Sequence, residues 1–96
     1  MLILVTYDVD TTSPEGQRRL RRVAKECLNY GQRVQNSVFE CVVDFTQFTQ
    51  LKISLEKIIS GDSDSIRFYH LGKNYETKVE TLGVKKGVDI QGELII

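Results

Sequence analysis

The segment Leu2–Val9 reads LILVTYDV, an apolar, β-branched run closed by polar residues, and it limits the fold more than any other stretch of the chain. Such a run is a strand covered on both faces and flanked on both edges, so it belongs at the centre of its sheet. With 96 residues there is material for one core and one domain, residues 1–96. A chain of this size covers only a little over roughly 60% of its unfolded surface, which favours a partner subunit as a further source of stability.

Beyond the first strand the chain is punctuated by local signals. Ser13-Pro14-Glu15 starts a helix: a hydroxyl N-cap, a proline at N1 and a carboxylate at the positive end of the dipole. The helix is expected over 14 to about 29, with Leu20, Val23, Ala24, Cys27 and Leu28 as its buried stripe and Gly31 as its C′ stop. RVQNSVFECVVD (33–44) alternates, and Asn36-Ser37 is its turn-prone pair, which predicts a tight hairpin near 36–38. Asp44 or Thr46 caps a second helix to about Ser60 whose apolar face is Phe48, Leu51, Leu55, Ile58 and Ile59; Gly61-Asp62-Ser63-Asp64 breaks it. Ile66–Leu71 is a fourth strand, and Lys78–Leu82 and Glu93–Ile96 are short strands of the tail.

The order β-α-β-β-α-β plus a β tail is that of an α+β, ferredoxin-like sandwich, with a core over about 1–71 and a C-terminal tail over 72–96. Both helices then cover one face of the sheet. The other face is left to a two-fold partner, and the tail strands are expected to add to that partner's sheet edge. No apolar run approaches the roughly 20 residues of a membrane span, and the N-terminus has no charged leader, so the expectation is a cytoplasmic protein with no membrane partner.

Formal net charge is zero, yet it is unevenly spread. Residues 1–15 carry three carboxylates and no base, −3; residues 16–33 carry six bases against Glu26, +5; the remainder, with seven bases and nine acids, is −2. Arg18, Arg21, Arg22 and Lys25 fall on the arc of the first helix opposite its apolar stripe, with Arg19 on the flank. Five bases that meet only Glu26 after the first turn repel one another at i, i+3 and i+4, and an anionic partner would relieve that repulsion. With Arg33 they form a candidate stripe for phosphodiester oxygens; the alternative is a solvated helix face.

Asp8 ends an apolar strand and precedes Thr11, Thr12 and Ser13, so its carboxylate emerges at the mouth of the first strand–helix loop. One carboxylate is too little for a magnesium site, but two related by a two-fold axis suffice, because magnesium retains several waters. The alternative is that Asp8 caps the loop. Asp10 makes a weaker case for the same role. Tyr7, Phe39 and Tyr69 are candidates for stacking on bases, or else for core and interface. Cys27 and Cys41 fit small buried hydrophobes, and the single histidine, His70, has no Cys, Asp or Glu at ligand spacing.

LVTYDV (4–9), the Arg-rich helix and GQRVQNSVFEC (31–41) together resemble the small CRISPR-associated adaptation proteins of the Cas-two family. The likeness spans residues 1 to about 71, and the tail with its GELII ending resembles the subtype I-C branch more loosely. The resemblance implies a homodimer that exchanges C-terminal strands and acts as a metal-dependent endonuclease on single-stranded RNA or double-stranded DNA. It also implies a scaffold role in spacer integration beside the Cas-one integrase. By the same resemblance Asp8 is the ligand of Mg2+ (or Mn2+) and, with Tyr7, the catalytic pair. Arg18 or Arg19, Arg22, Arg33, Ser37 and Phe39 are the nucleic-acid contacts. Two functions are then in view: a hydrolase whose metal-bound water attacks phosphodiester bonds, and a non-catalytic dimeric scaffold that holds a duplex by its phosphates.

Overall fold

The structure, a computed structural model, describes residues 1–71 and 77–83, in the latter stretch with side chains from residue 80. Its elements are β1 (Leu2–Asp8), α1 (Pro14–Leu28), β2 (Gly31–Gln35), β3 (Val38–Val42), α2 (Phe45–Ile58), β4 (Ser65–Leu71) and β5 (Thr77–Gly83). The strands form one sheet in the order β2-β3-β1-β4-β5 with every neighbouring pair antiparallel. The apolar first strand therefore lies at the centre, between β3 and β4. The order βαββαβ with one extra strand is the ferredoxin-like arrangement expected from the sequence.

Alternation along the central strands decides what is buried. Ile3, Val5 and Tyr7 of β1 face the same way as Phe39 and Cys41 of β3 and Ile66 and Phe68 of β4, and all are buried. They pack against Val23 and Cys27 of α1 and Phe48, Leu51 and Leu55 of α2 in one continuous core, so both helices cover the same face. Each fully buried side chain of this size contributes about 1.5–3 kcal/mol by leaving water. On the opposite face Leu2, Leu4, Val38 and Tyr69 are half-buried, and Val42 is 74% exposed.

Both helix starts arise from local chemistry. Ser13 has extended backbone and its hydroxyl accepts from the Gly16 amide at 3.1 Å, with Pro14 in the first turn. Asp44, rather than Thr46, caps α2: its carboxylate accepts from the Gln47 amide at 2.7 Å while the Gln47 side chain accepts from the Asp44 amide at 2.9 Å, a reciprocal capping box.

Two expectations need correction. Gly31 is no C′ stop: Asn29 is the C-cap, and Gly31 opens β2, where an added Cβ would lie 1.9 Å from the Glu40 carbonyl oxygen. Glycine is needed there for strand contact. Leu28 leaves the buried stripe and is 57% exposed, because at roughly 100° per residue it stands on the flank of the line through Val23 and Cys27. The first strand of the tail, β5, pairs along one edge with β4 of its own chain. The expected strand Glu93–Ile96 lies outside the described residues.

Candidate functional site

Asp8 is the last residue of β1, exposed, and paired in register with Ser65 of β4. It lies on the face that the helices leave uncovered, the strand alternation having turned Tyr7 inward and Asp8 outward. A hollow of about 240 Å³ opens there, lined by Thr6, Tyr7, Asp8, Ser65, Arg67 and Tyr69. Its polar side chains offer carboxylate and hydroxyl oxygens and one guanidinium. Among the described residues no group of three or more His, Cys, Asp or Glu side chains converges. The oxygen donors suit a hard cation rather than zinc, and one protomer supplies a single carboxylate. Arg67, two residues along β4 from Ser65, carries no signal in the sequence; its place beside Asp8 comes only from the β1–β4 register, Thr6 opposite Arg67.

The other predicted site residues divide by face. The Tyr7 ring is buried on the helix side, stacked on Phe39 at 6.0 Å between centroids, and its hydroxyl donates to the Asn36 carbonyl at 3.2 Å. Burial raises its pKa, which the neighbouring Arg33 only partly offsets. The structure thus does not bring the Tyr7 hydroxyl to Asp8, and it holds the phenol in its neutral form. Phe39 is fully buried, so its ring packs in the core and has no face for a base. Its neighbour Arg33 lies over that ring at 5.2 Å, a cation–π contact that orients the guanidinium at the edge strand. Ser37 sits in the β2–β3 turn and its carbonyl accepts from the Tyr7 amide at 3.1 Å, tying the hairpin to the end of β1.

Of the helix bases, Arg18, Arg21, Arg22 and Lys25 are exposed, as a phosphate-contacting stripe requires. Arg19 is not part of that array. Its Nε donates to Asp64 Oδ2 at 2.7 Å and its Nη2 to Asp64 Oδ1 at 3.4 Å, pointing into the protein. Spacing along the chain also gives no sign of a further cluster around the histidine. His70 and Glu80 bond across β4 and β5, Lys52 reaches Glu80 at 2.7 Å, and Phe48 packs edge-on to His70. These residues line a second hollow of about 390 Å³ beside α2. Burial raises the Glu80 pKa, but Lys52 and His70 outweigh it and hold the carboxylate below its usual range.

Residues 1–79 match the family model described as "CRISPR associated protein Cas2". The chain belongs to the Cas2 family. It is 59% identical over 95 residues to the "CRISPR-associated endonuclease Cas2" of Halalkalibacterium halodurans, covering 99% of each chain. It is 55% identical over 95 residues to the "CRISPR-associated endoribonuclease Cas2 3" of Rhodospirillum rubrum, covering 99% of this chain and 100% of that one. The crystal structure of Streptococcus pyogenes Cas2 at pH 6.5 superposes with a TM-score of 0.72 at 60% identity, over 78% of this chain and 90% of that chain. The five-stranded antiparallel sheet with two helices is thus a Cas2 fold. No helix of the described residues is long and apolar enough to cross a membrane.

Proposed function

We propose that this Cas2 chain is a metal-dependent endonuclease that cleaves phosphodiester bonds of double-stranded DNA or single-stranded RNA as a homodimer. The observation that carries the reading is the position of Asp8: an exposed carboxylate at the mouth of an oxygen-lined hollow on the sheet face that the helices do not cover. Two protomers that close their uncovered faces on one another place Asp8 opposite its twin. The pair then holds one magnesium or manganese ion, which supplies a water of lowered pKa and neutralises charge on the phosphodiester. Arg67 in the same hollow is suited to hold a phosphate oxygen. Arg18, Arg21 and Arg22 on exposed α1 positions hold the flanking backbone. Tyr7 acts by packing Phe39 and the hairpin rather than by moving a proton.

Asp8→Asn tests this directly: divalent-dependent cleavage is lost while the dimer and its melting temperature persist. Cleavage by the purified variant at the parent rate would exclude the reading. A second reading draws on the exposed bases of α1 and the single carboxylate per chain: a non-catalytic scaffold that presents duplex DNA to a Cas-one integrase. In that case Asp8→Asn leaves spacer integration intact and charge reversal at Arg18 and Arg22 abolishes it.

A further inference from the structure

Asp64 is fully buried, and its carboxylate gathers five donors. Oδ1 accepts from the Asp10 amide at 3.0 Å, the Ser63 hydroxyl at 3.2 Å and Arg19 Nη2 at 3.4 Å; Oδ2 accepts from Arg19 Nε at 2.7 Å and the Ser60 amide at 2.9 Å. The β1–β4 ladder ends at the pair Asp8–Ser65, and Asp64 is the next residue outward. Its side chain takes over where the backbone ladder stops, fastening the chain two residues past Asp8. The loop is then shaped from its other end: Asp10 Oδ1 accepts from the Thr12 amide at 3.0 Å and its hydroxyl at 2.7 Å. Gly16 presses on it so closely that a Cβ would lie 1.8 Å from the Asp10 carbonyl oxygen.

Stability alone is a weak reason for such a cluster, because buried ion pairs are commonly replaced by apolar side chains without loss. What an apolar replacement cannot supply is an acceptor for the Asp10 and Ser60 amides. We infer that Asp64 is a positioning residue for the Asp8 site, and that Arg19 acts inward on Asp64 rather than on nucleic-acid phosphate. The inference rests on the reading of Asp8 as the metal ligand and adds the group that fixes its backbone. Loose support of a ligand typically costs about 10- to 100-fold in metal affinity or activity.

The test uses the full-length protein and the variants Asp64→Asn and Arg19→Gln. In Asp64→Asn an amide donor faces the donors that Oδ2 now accepts. Mn2+ titration is expected to show its midpoint raised about 10- to 100-fold in both variants, with the double variant no worse than the more impaired single. Metal-free binding of an oligonucleotide duplex and its salt dependence are expected to stay at parent values. Overturning results are an unchanged Mn2+ midpoint in folded Asp64→Asn, or an Arg19→Gln protein that binds the duplex more weakly with a salt slope reduced by about one. Should Asp64→Asn fail to fold, Arg19→Gln carries the same two readouts. If Asp8→Asn titrates like the parent, the reading of Asp8 fails on its own. Amide exchange at Asp10 and Ser60 then still decides the positioning role: faster exchange in both variants supports it and parent rates overturn it.

Discussion

Two neighbours with opposite fates show what single residues do here. Tyr7 and Asp8 are adjacent in a pattern read as one catalytic pair, yet strand alternation sends the ring into the core and the carboxylate to solvent. The alternation of Phe39 and Cys41 with Glu40 carried the same information, and it predicts the buried Phe39 side chain correctly where the family motif suggested a nucleic-acid contact. Asp64 could not be read this way, since its partner Arg19 is 45 residues distant and only the fold brings them together. Its titration gives a prediction. Burial pushes the carboxyl up, but Arg19 and the Ser60 and Asp10 amides outweigh that and lower its pKa. A depressed folded pKa contributes stability above the unfolded value of about 3.9 and loses it as pH falls through the folded one. The melting temperature of Asp64→Asn is therefore expected below the parent at pH 7, with the gap closing under acid; a gap independent of pH would contradict this. The thiols run the other way. Burial pushes Cys41 up to about 11 and Cys27 up to about 12, so stability contributed by the neutral thiols is present below the unfolded value of about 8.5 and is lost as pH rises past it. At neutral pH neither thiol is expected to react with iodoacetamide until the protein unfolds, and labelling of the native protein at the rate of a free thiol would refute it.

Elements were legible in the sequence wherever their signals are local. Ser13-Pro14 marks the start of α1, and the sequence narrows the cap of α2 to Asp44 or Thr46, of which the structure uses Asp44. Pairings were not. The contact of His70 with Glu80 depends on β5 joining β4 in a register that sets His70 against Lys78, and no spacing rule along the chain contains it. Ser13→Ala is expected to cost about 1 kcal/mol in chemical denaturation by removing the cap of α1. Leu51→Ala, which opens a cavity where α2 meets the sheet, is expected to cost about 2–5 kcal/mol. Equal losses for the two would mean that α2 is not packed as described.

At the scale of the whole molecule the feature that matters most is the bare sheet face, where Leu2, Leu4, Val38 and Tyr69 are half-buried and Tyr69 also lines the hollow at Asp8. The β-α-β-β-α-β order, with both helices on one side, left that face open in the sequence, and the size of the chain argued for a cover. Leu4 stands between Glu40 and Tyr69 in register, so Leu4→Lys gains a cross-strand carboxylate within its own chain while setting like charges against a two-fold mate. Sedimentation is expected to show this variant as a folded monomer without cleavage activity; a cleaving monomer would separate activity from pairing. Whether two Asp8 side chains share a cation is read from calorimetric titration of Mn2+ into the protein. One ion per two chains is expected, lost in Asp8→Asn and in the Leu4→Lys monomer. One ion per chain, or binding that survives Asp8→Asn, would contradict it.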